Sequence, residues 1–413
     1  WQDTIRLGAD WNYSPVKGGC APKLKNDCGR DGWQQQDVFL PGQGTDPALR
    51  VDYAKYTEGR GYELEALLTH PGVTSRWIQE AYNSGSLTLS LDGMDLSDAA
   101  KENGNATINL GSTSGDDADF TVIKITSKSF EKALDTYALN VKYKDGARQR
   151  DLTAMVAYIN NDGTPHINYW EIPDLNTWNA KVKDHGQSGE NFKITGIVNF
   201  GGRSTEFKEL VLSRLEGTAP AEGESPTCGF TNLNYTGGTE ALPWVTKIGL
   251  EMKNLSFTNM TFNFAASSYT RTMTGAILNV SNASGLTITD LTMQCGRDTR
   301  AYFAFISTAG GTVDGVEMKN ILVKDMQSGG SRYTYTGGLI AYSTGDTNNI
   351  HAEDVKVLMP MNSCVGGIQG RQETYGQNFY GNTIKTFEVS GYNQTGGLLG
   401  YSYAQQTTDD AAE

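Results

Sequence analysis

"TGGLLGYS", residues 395–402, sets glycines on both sides of two leucines, and it recurs. "VGGIQGRQ" stands at 365–372 and "TGGLIAYS" at 336–343, with degenerate copies "AYFAFIST" at 301–308 and "TGAILNVS" at 274–281. The third residue of each copy falls at Ala276, Phe303, Gly338, Gly367 and Gly397, which gives spacings of 27, 35, 29 and 30. A second element keeps step with the first. "GLEMKNLSFTNM" (249–260) aligns without gaps on "GVEMKNILVKDM" (315–326), and weaker copies start at residues 285, 349 and 381. Apolar residues alternate within it, and a polar Asn254, Asp290, Asn320 or Asp354 recurs at one place between them. Self-similarity near 30 residues with no helical period predicts stacked supersecondary units.

The physical reading is a parallel β-solenoid over 230–403, each unit one coil whose short strands pair with equivalent strands above and below. Gly338, Gly367, Gly397 and Gly400 then serve corners where a side chain would clash or where positive φ is needed. Asn254 and Asn320 stack at a bend and satisfy backbone groups that the turn leaves open. Phe257, Met293, Val323, Val357 and Val389 share one template position and are expected to form a single inward column. At this point the chain resembles the Gly-Leu-x-Gly repeats called GLUG motifs, found in large secreted and surface-attached bacterial proteins, adhesins among them. Gly397-Leu398-Leu399-Gly400 matches directly and Gly367-Ile368-Gln369-Gly370 conservatively, while Gly338-Leu339-Ile340-Ala341 departs at the last glycine. The resemblance covers about residues 245–402. It implies an extracellular repeat scaffold and brings no catalytic residues.

Upstream, strand-like runs follow one another with turn signals between them, among them "SLTLSLDG" (86–93), "FTVIKIT" (120–126), "YALNVKYKDG" (137–146), "HINYWEI" (166–172), "WNAKV" (178–182) and "FKELVLSRL" (207–215). Period-two alternation at this density predicts an antiparallel sandwich over 85–215, and the order of its last strands resembles carbohydrate-binding jelly rolls. Residues 1–84 read as a further strand-rich segment, with one short helix in "VTSRWIQEAYNSG". "EGTAPAEGESPT" (216–227) supplies a linker, 216–229, and 404–413 is a polar tail. The expected architecture is all-β: an N-terminal β-sandwich, jelly-roll-like, followed by a C-terminal parallel β-solenoid of about 30-residue coils.

With 34 Lys plus Arg against 47 Asp plus Glu, the net charge is −13, which disfavours nucleic acid and anionic membrane surfaces as partners. No stretch approaches the roughly 18 apolar residues of a membrane span. The sequence opens on Trp1 and not Met, as a processed chain would. Cys20 and Cys28, in a loop-like stretch, are expected to form a disulfide, which leaves Cys228, Cys295 and Cys364 with an odd thiol. No C-x-x-C occurs and the four histidines are scattered, so zinc is not expected.

Sugars stack flat C–H faces on Trp and Tyr, and Tyr158, Tyr169, Trp170 and Trp178 are the candidate glycan-binding side chains, weighed against core packing. Adjacent Tyr169 and Trp170 must face opposite sides of a strand. Asp116, Asp117 and Asp119 could hold a structural Ca²⁺ through oxygen ligands, although their spacing matches no EF-hand loop and solvated turns explain them; no other cofactor is called for. "GRDTR", with Arg297, Asp298 and Arg300, is the only concentrated charge on the solenoid. No G-x-S-x-G, H-E-x-x-H or phosphate loop occurs. The leading expectation is a non-enzymatic bacterial surface or extracellular protein, an adhesin or glycan-binding module on a solenoid stalk, with a glycan or surface polymer as partner. The alternatives are a subunit of an extracellular fibre or sheath, and a polysaccharide-degrading β-helix enzyme or phage tail spike. Sequons such as those at Asn234 and Asn282 leave glycosylation open. After Tyr403 the remaining residues are too few and too polar to cap a solenoid, so the last coil is expected to be a junction for further repeats or another copy.

Overall fold

The computed structural model describes residues 47–402, apart from 147, 265–272, 296–301, 326–333, 361 and 374–375. Cys20 and Cys28, the polar tail and "GRDTR" from Arg297 onward lie outside the described residues. Strands dominate, and the chain divides into two compact units between Asn168 and Tyr169.

The first unit is built from antiparallel sheets. One contains Ala48–Thr57, Gly61–Thr69, Phe120–Ser127 and Ala106–Gly111; the other contains Leu87–Leu91, Tyr137–Asp145 and Arg148–Val156. Burial alternates along Leu87–Leu91, as period-two sequence demands. Leu64, Leu68, Ile123 and Ile125 of the first sheet share one core with Leu89, Leu139 and Val141 of the second. The helix foreseen in "VTSRWIQEAYNSG" spans Ser75–Asn83. Thr74 caps it by accepting the Trp77 N–H at 3.2 Å, and Gly85 follows it at φ +80°.

The second unit starts earlier than composition suggests. Glu190–Ile194 pairs in parallel with Leu210–Gly217, which pairs in parallel with Val245–Lys253. Residues 169–215 therefore belong with the solenoid and not with a sandwich over 85–215. The solenoid itself runs for about 6 turns over residues 197–402. The expected linker is no boundary either: Glu216 pairs opposite the Lys253 position and Gly229 opposite Ser256, so 218–227 is an insertion at one corner of a coil. "WNAKV" is not a strand but part of the helix Leu175–His185. Asp174 caps it by accepting the Thr177 N–H at 2.8 Å, and Trp178 and Val182, four apart, face inward.

One core runs the length of the unit. One inward column reads Val198, Phe230, Phe257, Ile288, Met318, Ala352 and Ile384. A second reads Tyr235, Phe262, Met293, Val323, Val357 and Val389. Four of the five residues expected in one column are together, with Phe262 in the place assigned to Phe257. The cause lies in the corners. Each of the five coils from Val245 onward has two residues in the left-handed region, five apart: Asn254 and Asn259, Gly285 and Asp290, Gly315 and Asn320, Asn349 and Asp354, Gly381 and Thr386. Asn tolerates αL at either corner, so "EMKN" at 251–254 matched "EMKN" at 317–320 at the wrong one. Asn254 belongs with Gly285 and Gly315; Asn320 donates to Asp290 at 2.6 Å, as Asn259 donates to Asn232.

The Gly-Gly corners work differently. Gly338, Gly367 and Gly397 are not among the positive-φ glycines; what they need is space. A Cβ on Gly338 would lie 2.3 Å from the Gly367 carbonyl oxygen, and one on Gly367 would lie 2.1 Å from that of Gly397. On Gly400 it would meet the Gly370 carbonyl at 2.6 Å. The strand register puts Phe305, and not Phe303, beside Ala276 and ahead of Gly338. The quoted copy at 301–308 therefore starts two residues early.

Candidate functional site

The aromatic quartet does not converge on a sugar platform. Tyr158 is buried in the core of the first unit, against Tyr62 and Phe130. Trp178 is fully buried and packs edge-on against Phe192 and Phe230 and tilted against Trp244. Trp170 is half-buried, with Lys181 Nζ 3.6 Å from its ring centre, the His185 ring at 4.4 Å, and its Nε1 donating to Glu190 at 2.7 Å. Tyr169 has Lys193 over its ring at 5.8 Å. These rings are consumed by packing and by cations of their own chain. Asp116 turns to Arg76 at 3.2 Å, and the Asp119 carbonyl accepts the His70 N–H. Among the described residues no group of three or more His, Cys, Asp or Glu side chains is placed to hold a metal ion. Cys228, Cys295 and Cys364 are buried and, among the described residues, form no disulfide.

One concave feature of the second unit is a groove of about 710 Å³ on an outer face of the solenoid, overhung by Pro220–Pro226 of the inserted loop. Its floor comes from the strands just ahead of the second left-handed corner. Counting back from that corner, the third residue of each coil forms one outward column, Thr287, Glu317, His351 and Thr383; the residue just before the corner forms another, Thr289, Lys319, Glu353 and Lys385. Between them the inward residues Ile288, Met318 and Ala352 anchor the strand in the core. Parallel pairing sets successive rungs about 4.8 Å apart.

The two columns differ in electrostatics. Glu353 is bridged by Lys385 at 3.0 Å and Lys319 at 3.2 Å. Hydrogen bonds and charge from Lys385 and then Lys319 hold its carboxyl below the ordinary carboxylate range, and Glu353 in return raises Lys385. A carboxylate so held stays ionised and accepts hydrogen bonds; it is a poor proton donor. The other column offers hydroxyls, one carboxylate and an imidazole, with His351 Nδ1 2.9 Å from Thr383 Oγ1. The floor is thus a regular array of donors and acceptors, suited to a ligand rich in hydroxyls.

A second surface carries tyrosines. Tyr302 stacks on Tyr342 at 4.9 Å and 5° and on Tyr335 at 5.1 Å. The Arg371 guanidinium lies 4.8 Å from the Tyr335 ring and 5.1 Å from that of Tyr401, and pairs with Glu373 at 2.5 Å. Burial raises the Tyr335 and Tyr342 phenols. Their faces are turned to one another, so the stack presents ring edges and hydroxyls.

The groove was within reach of the sequence. Its residues are the outward positions of the same repeats ("GVEMKN", "NIHAED", "GNTIKT") whose inward positions define the core. Comparison with known proteins returns no match to a family model, to a curated sequence or to a solved structure.

Proposed function

We propose that this is a non-enzymatic, extracellular glycan-binding protein of a bacterial surface, and that its contact with the glycan is made by the solenoid groove and not by the sandwich. The observation that carries the reading is the outward floor of Thr287, Glu317, His351 and Thr383 beside Lys319, Glu353 and Lys385, set at the spacing of the coils and overhung by 220–226. Such a floor meets a hydroxyl-bearing polymer with a donor and an acceptor on successive rungs. The ionised Glu353 supports binding over acid catalysis. The resemblance of 245–402 to surface-protein repeats supports the location.

The test is binding of the full-length chain to a panel of immobilised neutral and acidic polysaccharides. Replacing His351 and Thr383 together by Ala should weaken binding about tenfold, as loss of one to two hydrogen bonds would, while Trp170→Ala leaves it unchanged. The reverse pattern would return the site to the aromatic cluster. Loss of polymer viscosity on incubation would replace the binding reading with an enzymatic one.

A further inference from the structure

The first left-handed corner of the solenoid carries a pattern that breaks inside the groove. From coil to coil it reads Asn254, Gly285, Gly315, Asn349 and Gly381, with φ between +53° and +67°. Where an asparagine stands above a glycine, its carboxamide lies across that glycine. A Cβ added to Gly285 would meet Asn254 Oδ1 at 2.8 Å, and one added to Gly381 would meet Asn349 Oδ1 closer still. Asn349 Nδ2 also donates back to Asp314 Oδ1 at 2.8 Å, so its flat amide bridges rungs along the outside of the corner. The corner thus has a seat for one planar amide between successive coils.

Gly315 breaks the pattern. The residue above it is Gly285, which has no side chain to lay across it, and a Cβ on Gly315 would find only the Gly285 nitrogen, at 3.8 Å. Among the described residues no amide of the chain fills the seat at this one corner glycine. Gly285 and Gly315 both line the groove, under Pro220 and Pro226 of the inserted loop and next to Glu317.

The seat defines what fits it. It has the size and shape of a carboxamide, because the same chain sets one there in two other coils. The acetamido group of a sugar is that planar amide with a methyl at one end. The loop prolines offer the methyl an apolar neighbour, and Glu317 and Ser225 supply acceptors for the N–H. An anionic polymer is a poorer match: Glu224, Glu317 and Glu353 line the groove against Lys319 and Lys385, and both lysines are bridged to Glu353.

We propose that the groove selects glycans bearing N-acetyl groups, with Gly315 as the specificity-determining position: the acetamido group of one sugar lies where other coils set an asparagine amide. This rests on the glycan-binding reading of the groove and adds its substrate class.

The experiment is calorimetric titration of the full-length chain, native, Gly315→Asn and Gly315→Ala. The probes are N-acetylglucosamine and N-acetylgalactosamine oligosaccharides, their de-N-acetylated counterparts, and glucose oligosaccharides of the same length. The native chain should bind an acetylated series at least about tenfold more tightly than the counterparts without the acetyl group, as one lost amide contact implies. Gly315→Asn, whose own side chain takes the seat, should lose that preference and bind glucose oligosaccharides as the native chain does. Gly315→Ala, which adds a methyl alone, should lose part of it, and circular dichroism melts establish that both variants are folded. A preference that survives Gly315→Asn, equal binding with and without the acetyl group, or tighter binding of the amine form would each overturn the acetamido assignment and leave the groove a glycan site. Binding of no oligosaccharide at all would remove the glycan reading, and the assignment with it.

Discussion

The two units solve the same problem, burying strands, by opposite routes. In the first, neighbours in the sheet are mostly joined by turns, and glycines such as Gly59 and Gly146 take positive φ to make them. In the second, each strand pairs with residues about 30 positions away, and each core residue lies between its equivalents in the coils on either side. A defect in the sandwich has one core to disturb. A defect in a solenoid rung removes the floor of one coil and the roof of another.

The largest expected effect tests that difference directly. Val323 is fully buried between Met293 and Val357, and Val323→Asp places an uncompensated charge among apolar rungs at a cost of about 4 kcal/mol or more. Hydrogen exchange should show lost protection spreading through strands of the solenoid on both sides, with the amides of Gly61–Thr69 and Phe120–Ser127 unaffected. Protection lost only at Val313–Asp325 would mean that the coils are not coupled.

A second test separates glycines kept for space from glycines kept for conformation. Gly338→Ala drives a methyl to 2.3 Å from a backbone oxygen that cannot swing away, and overpacking of that kind costs about 2–3 kcal/mol. Gly85→Ala has open space around its Cβ but φ of +80°, and the left-handed penalty is about 1 kcal/mol. Urea denaturation of the two variants should rank them in that order. Equal costs would show that the Gly-Gly corner yields more than its geometry suggests.

These corners also explain what the sequence could and could not tell. The repeat period, the solenoid and the column through Val323 and Val357 were legible because a stacked core repeats its apolar residues. The register of "GLEMKNLSFTNM" was not, because two corners five residues apart accept the same residue types and Asn254 imitates Asn320. The boundary between the units was hidden by chemistry shared between linkers and insertions: Pro, Gly and Glu in 218–227 are what either would contain. The helix Leu175–His185 was readable in hindsight from Asp174, Thr177 and the Trp178–Val182 spacing, but its aromatic content suggested a strand. The groove carries no aromatic signature in the sequence, because its floor is made of threonines and charges at outward repeat positions.

A third prediction concerns pH and belongs to the sandwich. His70 is buried, with Nδ1 2.8 Å from the Val73 carbonyl oxygen and Nε2 2.8 Å from Thr121 Oγ1, which donates onward to Ser75 at 3.0 Å. Burial lowers its pKa from 6.5, opposed by the Val73 carbonyl and by Asp119. The unfolded chain therefore binds a proton that the folded one refuses, so this contribution is complete above pH 6.5 and is lost as pH falls below it. The urea midpoint of the first unit should drop on acidification from pH 7 to 5, and His70→Gln should flatten that slope. An unchanged slope in the variant would assign the acid response to other groups, His166 first, whose pKa burial also lowers.

The smallest expected effect is the sharpest contrast with Gly338. Gly315 takes φ +64°, and its column neighbours at the first corner include Asn254 at +56° and Asn349 at +53°. A Cβ there would have only the Gly285 nitrogen, at 3.8 Å, within reach. Asparagine tolerates this backbone because its short amide can bond locally, and replacing glycine removes freedom from the unfolded chain, which favours folding by several tenths of a kcal/mol. The two terms oppose each other, so Gly315→Asn should change stability by less than about 0.5 kcal/mol in either direction. The same residue at Gly338 should leave the solenoid unfolded, since there the obstacle is a backbone oxygen and not a dihedral angle. If Gly315→Asn cost as much as Gly338→Ala in parallel urea titrations, the first corner would also be governed by space. The distinction between the two kinds of glycine in this solenoid would then be lost.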